Sequence, residues 1–405
     1  MIKTIYKLLF VLITIVIVSV FIGFNQIFDF DTNSLPKIHF YRWRSIPFKH
    51  KETTFMSYVS NDPNIDHIYL QKIRAKARGG ASEDYTKHNF TIELENKHQL
   101  AGLENEDDWI LGASFIDKSF TRHKLSFDLF KLFNDEHEVP DCEFVEVYIN
   151  FKYHGLYILM ERMDSKRLEL NKRDSAACIF KEPPVFVDPK IKVNSNPYKG
   201  NDFYHQKFPD LPINNKSQEI KELREFINYA HDSLFDNDIT LFFDLDDIID
   251  WHILLLITHN SDAVVKGFYL YKKESGRPFK LALWDYNNSF GRDNDNERHF
   301  PGIINWEKNM LLNRLVNSNT QGYKDRLKNR FVELVESDIL TAENLAFMVD
   351  ENHRKLKGFV KKNEKRWPVD ATPFYDDDDF EDEIIFINKW IPVQLKVVSE
   401  YLNKL

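Results

Sequence analysis

Two cysteines, Cys142 and Cys178, are all that the 405 residues contain. So few exclude a disulfide framework and any metal site built on thiolates, although an exported chain could still pair the two. None of the fourteen histidines forms a His-x-x-x-His spacing, so no zinc-binding helix is present. Positive charge is also short. Lysine and arginine number 54 against 63 acidic residues, and the formal charge is −9. That balance excludes a broad electrostatic footprint for nucleic acid, so any basic site must be local. No internal repeat is evident. Long apolar runs reduce to one, residues 8–24, behind Lys3 and Lys7. A span needs about 17–25 apolar residues, and positive residues before it favour an N-in orientation. A single N-terminal membrane span is therefore expected, with the bulk of the chain extracytoplasmic. Small residues placed for cleavage are lacking, as is a following lipid-accepting cysteine, which favours an anchor over a removed signal.

What is present reads as globular. Hydrophobic residues make up 43% of the chain and aromatics 14%, enough for two lobes each with a core. Residues 25 to about 50 read as a polar stalk with Pro36 and Pro47. His67 to Arg78 alternates with period two: Ile73, Ala75 and Ala77 face one way, Lys72, Arg74, Lys76 and Arg78 the other. Phe90, Ile92 and Leu94 repeat the alternation. Asp117 to Phe133 predicts a helix that Asp117 could cap. Phe144–Asn150 and Leu156–Glu161 predict a hairpin. Residues 183–216 read as a long loop, and helical periods dominate from Gln218 onward, interrupted by strands near Phe268–Tyr271 and Lys280–Trp284. The run Asp376-Asp377-Asp378-Asp379 reads as a solvated loop. The expected fold class is α+β: a small β-rich N-terminal lobe (61–164) and a larger, mainly helical C-terminal lobe (165–405), after an anchor (1–28) and a stalk (29–60). A cleft between a sheet lobe and a helical lobe is the natural site for a ligand.

Two aspartates stand out. Asp262 lies in Asn260-Ser261-Asp262-Ala263-Val264-Val265-Lys266-Gly267-Phe268, and Asp285 in Leu283-Trp284-Asp285-Tyr286-Asn287-Asn288-Ser289-Phe290-Gly291-Arg292. Each borders a short apolar run that reads as a strand. Across a hairpin-like unit the two can converge on one pocket, which suits phosphoryl transfer: one carboxylate orients the attacking hydroxyl and the other holds a divalent cation. The bland alternative is a pair of turn or cap residues. A metal-dependent hydrolase would want more ligands nearby; His259 is the close candidate, and it sits on an apolar helical stretch that reads as core.

Further stretches carry a family likeness: Arg78-Gly79-Gly80-Ala81-Ser82 with Lys87-His88-Asn89-Phe90; Trp109-Ile110-Leu111-Gly112-Ala113-Ser114-Phe115-Ile116-Asp117-Lys118-Ser119-Phe120-Thr121-Arg122; and Val147-Tyr148-Ile149-Asn150 with Gly155-Leu156-Tyr157-Ile158-Leu159-Met160-Glu161-Arg162. In this order, with the two aspartate segments, the chain resembles the CotH family of spore-coat-protein-H-like atypical kinases. The resemblance implies a protein-kinase-like fold, ATP, and Mg²⁺ or Mn²⁺. It places Asp262 as the catalytic-loop aspartate and Asp285 as a metal ligand. It places Leu159-Met160-Glu161 at a hinge whose backbone meets adenine, and Arg78 and Lys87 at the phosphates. Arg122 lies on the helix where a kinase keeps an acidic partner for its phosphate-binding lysine, and either contacts that site or faces water. Glu161 could equally form a surface ion pair. Lys87 could be a solvated strand residue, since its parity opposes Phe90 and only a bulge or bend would turn it inward.

The chain also departs from that pattern. Kinase loops carry a metal-binding Asn five residues after the aspartate; here the residue is Gly267. The family's second acid is Asn287, a neutral and weaker oxygen ligand. The ammonium of Lys266 could replace a cation's charge or point away. The expected activity is phosphate transfer from ATP to a Ser or Thr of a surface protein, or to a glycan. The alternative is a catalytically degenerate pseudokinase acting as a cell-surface scaffold for a protein or polysaccharide.

Overall fold

The computed structural model describes residues 34–79, 81–187, 205–210, 217–293, 297–368 and 376–405. In chain order the barrel strands are β1 (Lys37–Tyr41), β2 (Glu52–Val59), β3 (Ile68–Arg78), β4 (Asn89–Gln99), β5 (Asn105–Gly112), β6 (Cys142–Ile149) and β7 (Lys152–Glu161). After them come β8 (Cys178–Lys181), β9 (His205–Phe208), β10 (Phe268–Lys272), β11 (Lys280–Leu283), β12 (Arg292–Asp293) and β13 (Glu297–Arg298). The helices are α1 (Arg122–Phe133), α2 (Gln218–Tyr229), α3 (Asp232–Phe242), α4 (Leu245–Thr258), α5 (Met310–Asn317), α6 (Tyr323–Glu336), α7 (Ala342–Leu356), α8 (Val360–Arg366) and α9 (Phe380–Leu402).

The chain divides into two compact units. The first takes the residues up to Ala113, Cys142–Met160 and Phe359–Pro368; the second takes Ser114–Asp141, Glu161–Gly358 and the residues after 368. In the first, the strands close in the order β1-β2-β3-β4-β5-β7-β6. Alternation decides which side chains fill the interior: Ile73, Ala75 and Ala77 on β3 are buried, and Ala75 stands opposite Ile92, itself opposite Trp109. Closure comes from β1, which pairs antiparallel with β2 (Ile38 opposite Tyr58) and parallel with β6 (Ile38 opposite Val147). A closed sheet leaves no unpaired edge. The β6–β7 hairpin turns at Asn150 and Phe151, both at positive φ (49° and 65°), as a two-residue hairpin turn requires. The short helix α8 also belongs to this unit. Asn363 accepts the Leu156 main-chain N–H at 3.0 Å, and the Trp367 indole donates to the His154 carbonyl at 2.6 Å.

The second unit combines helices with a four-stranded sheet in the order β11-β10-β8-β9. Helix α4 is buried along almost its whole length and reads as an apolar run for that reason. Asp244 caps it, accepting from the N–H groups of Asp246 and Asp247.

This architecture corrects the expected fold class. In place of a small open sheet lobe on a helical lobe, the N-terminal strands form a closed seven-stranded barrel. The reason is that β1 and β2 arise from the segment expected to be a stalk, and β1 seals the sheet through a pairing with β6 about a hundred residues away. The expected membrane span, residues 8–24, lies outside the described residues. Among those described, no helix is long and apolar enough to cross a membrane. The expected membrane localisation is corrected accordingly: it finds no support in the structure and is not carried further. Both cysteines are buried and neither forms a disulfide.

Candidate functional site

The two aspartates flank one hairpin of the second unit. Strands β10 and β11 pair antiparallel with Phe268 opposite Leu283. Asp262 precedes β10 and Asp285 follows β11, so both leave the hairpin at the same end. Four hydrogen bonds fix the connecting loops. The Trp284 N–H donates to the Gly267 carbonyl at 3.0 Å. Buried Asn260 accepts the Ala263 N–H at 3.1 Å and donates to the Asp285 carbonyl at 3.4 Å. Asn309, which caps α5, donates to the Val264 carbonyl at 2.7 Å.

Asp262 opens a short 3₁₀ turn, Asp262–Val264, directly after α4 ends in the left-handed residue His259. Its carboxylate lies 3.0 Å from the Lys266 ammonium, and both side chains are partly exposed. Gly267 has φ +76°, and a Cβ there would sit 3.2 Å from the Ala263 Cα and the Trp284 carbonyl. Only glycine fits such a position without strain. Asp285 is exposed, also with positive φ (55°), and Asn287 and Asn288 follow it as half-buried amides 3.5 Å apart.

One further side chain belongs to this set. His123, in the first turn of α1, feels the charge of Asp285, and its buried Nε2 has no hydrogen-bond partner. Burial pushes the imidazole below its usual range, against the pull of Asp285 and Asp117. An exposed carboxylate, neutral amide oxygens and an orphaned imidazole nitrogen are a donor set that fits a divalent cation such as Mn²⁺ or Mg²⁺.

A family model described as CotH kinase protein matches residues 75–398. The chain belongs to the CotH family. It is similar to the inner spore coat protein H of Bacillus subtilis (strain 168), 24% identical over 303 residues that cover 71% of this chain and 78% of the relative.

The other residues expected at a CotH site fall in differing surroundings. Arg78 ends β3, half-buried, opposite Asn89. Lys87 lies just before β4, so strand parity does not govern it. Its ammonium is buried and donates to the carbonyls of Ala113 and Leu156. Burial holds that amine well below the usual lysine range. Both residues belong to the first unit, whereas Asp262 and Asp285 belong to the second. Met160 ends the Cys142–Met160 segment of the first unit, buried and opposite Cys142. Glu161 opens the Glu161–Gly358 segment of the second unit, fully buried, 3.0 Å from the Arg167 Nε and accepting the Asp141 N–H at 3.2 Å. Burial raises its pKa against the opposing charge of Arg167.

Arg122 does not face water. It is fully buried, with Nη1 2.7 Å from Asp117, Nη2 2.7 Å from Glu383, and Nε donating to the Ser289 carbonyl at 2.9 Å. The Glu383 contact is a close approach of charges rather than an aligned hydrogen bond. Asp117 does not cap α1 from Thr121's position. It accepts the N–H groups of Ser119 and Arg122 in the turn before the helix. His123 adjoins Arg122, but a lone histidine on a helix carries no signal in the sequence; its electrostatic link to Asp285 arises only in the fold.

Proposed function

We propose that this CotH-family protein transfers a phosphoryl group from ATP to a protein Ser or Thr hydroxyl, using Asp262 and Asp285 of the β10–β11 hairpin. The reading rests on one observation: the Phe268–Leu283 pairing sends both aspartates out of the same hairpin end. Asp262 accepts a hydrogen bond from the acceptor hydroxyl and orients it for attack. Lys266, 3.0 Å away, keeps this carboxylate aimed until an acceptor displaces it. Asp285, with Asn287 and His123, holds a divalent cation. When bound, that cation offsets the charge on the transferred phosphoryl oxygens. The family description, a kinase, supports the same reaction class.

A second reading has its own observation. Gly267 occupies the position of a metal-binding Asn and is required there by its backbone. One metal ligand of a kinase loop therefore cannot be present, which favours a nucleotide-binding or purely structural CotH protein without turnover.

The test is transfer from labelled ATP by the full chain with Mg²⁺ and with Mn²⁺. Asp262→Ala should lower the rate by roughly 10²–10⁴-fold while nucleotide binding persists. Asp285→Ala should abolish metal-dependent nucleotide binding. Binding without turnover in the wild type would support the second reading, and no binding with either metal would sink the first.

A further inference from the structure

The acidic run is solvated only in part: Asp377 and Asp379 are exposed, whereas Asp376 and Asp378 are held by cations. Asp376 contacts Lys118 (3.1 Å) and Arg292 (2.6 Å), Asp378 contacts Arg292 (2.9 Å) and Arg298, and Glu383 is fully buried between Arg122 and Arg292. The spacing of Asp376, Asp378 and Glu383 would suit a metal ion. Their charges are already met by three arginines and a lysine, so nothing points to a cation there.

Glu383 is the member with a consequence for chemistry. It touches two buried guanidiniums, and both reach the loop that carries Asp285. Arg122 donates from Nε to the Ser289 carbonyl, and Arg292 is itself the end of that loop. Between them, the Ser289 hydroxyl donates to the Tyr286 carbonyl at 2.8 Å and the Phe290 N–H to the Thr258 carbonyl at 2.7 Å. The loop is thus tied at its centre and its end, and both ties converge on one carboxylate. Helix α9 does not need that carboxylate for its own start. Asp379 and Asp382 form a complete capping box there. Aromatic contacts reinforce the seat: the Arg292 guanidinium lies 5.3 Å above the Phe386 ring of α9.

We infer that Glu383 is a positioning residue for the Asp285 loop, acting through Arg122 and Arg292. The inference rests on the reading of Asp285 as a metal ligand. Neutralising Glu383 removes a shared counter-charge from two buried cations, and each is left to relax toward other partners. The loop then loses the fixed geometry that holds Asp285.

The experiment measures Mn²⁺ affinity of the full chain by electron paramagnetic resonance, with hydrogen exchange of residues 285–292 read in parallel. Wild type should bind Mn²⁺, and Asp285→Asn should not. Glu383→Gln should weaken binding by about ten-fold or more and speed exchange in the loop. Glu383→Asp, which keeps the charge, should recover part of both and serves if the glutamine variant does not fold. Asp379→Ala, which removes only the helix cap, should lower the melting temperature and leave Mn²⁺ affinity unchanged. Equal affinity and equal exchange in wild type and folded Glu383→Gln or Glu383→Asp would overturn the inference. If wild type binds no Mn²⁺, the metal reading of Asp285 fails separately, and loop exchange alone decides the role of Glu383.

Discussion

Phe268 and Leu283 stand opposite each other at the end of one antiparallel hairpin, and this pairing brings Asp262 and Asp285 to a common edge. A slip of one residue in that register would turn one flanking strand over and carry its aspartate away from the other. Both faces of the hairpin are buried, Phe268, Leu270, Leu281 and Leu283 on one and Tyr269, Tyr271 and Ala282 on the other, so a slip would exchange two packed faces.

Restoring a kinase-like asparagine at position 267 should harm the protein. Gly267→Asn must adopt φ +76° with its Cβ 3.2 Å from two backbone atoms. A cost of about 1–3 kcal/mol is expected from the strained conformation. Thermal unfolding should show a lower melting temperature, and any phosphoryl transfer should fall rather than rise. An unchanged melting temperature would mean that the loop relaxes freely.

Lys87 should be shielded from amine-acylating reagents in the folded protein. Its ammonium is enclosed by the carbonyls of Ala113 and Leu156, and its Cε lies 2.9 Å from where a Gly155 Cβ would stand. Trp367→Ala should open this enclosure. Once reachable, the amine should react like a surface lysine, because the burial that depresses its pKa is relieved together with the shielding. Peptide mass spectrometry after brief acylation reads both effects.

His137 should make stability depend on mild alkali. Its Nδ1 lies 3.2 Å from Asp247 and its Nε2 2.8 Å from Asp250, with the ring stacked on Phe130 at 4.0 Å. Burial alone would lower the imidazole pKa, but the two carboxylates together outweigh it and raise it to about 8. The folded value exceeds the unfolded one, so the contribution is complete below the ordinary value of 6.5 and is lost as pH rises through about 8. The shift corresponds to about 2 kcal/mol. Urea unfolding across this window should show the loss in wild type and a flatter profile in His137→Asn.

Asn363→Ala should weaken the barrel although the residue lies far along the chain. It removes the acceptor for the buried Leu156 N–H, a loss of about 1–3 kcal/mol. Gly155→Ala should act in the same direction, because the added Cβ meets Lys87, Asn363 and Trp367 at 2.9–3.0 Å. Hydrogen exchange at Leu156 distinguishes a local opening from global unfolding.

Local pattern made part of this structure legible. Period-two burial marks β3, an alternating pair of runs marks the β6–β7 hairpin, and the apolar run Ile253–Ile257 marks the second half of α4. The aspartate pair was legible for the same reason, since each residue borders a buried strand. What escaped depends on partners distant in sequence. The β1–β6 pairing that closes the barrel has no local signature. Asp376 and Asp378 look like a wet run until Lys118, Arg292 and Arg298 are brought to them. Arg122 and Glu161 look like surface charges, yet the fold buries both with counter-ions. Lys87 reads as a strand residue facing water only if the strand begins earlier than Asn89.

The contribution of residues 359–368 to the first unit bears on the order in which the chain acquires its structure during synthesis. The barrel strands leave the ribosome long before α8 does. Until then Leu156 lacks its Asn363 partner and the space beside Lys87 stands open. The N-terminal strands therefore lack part of their packing until a helix 207 residues beyond Leu156 has been translated.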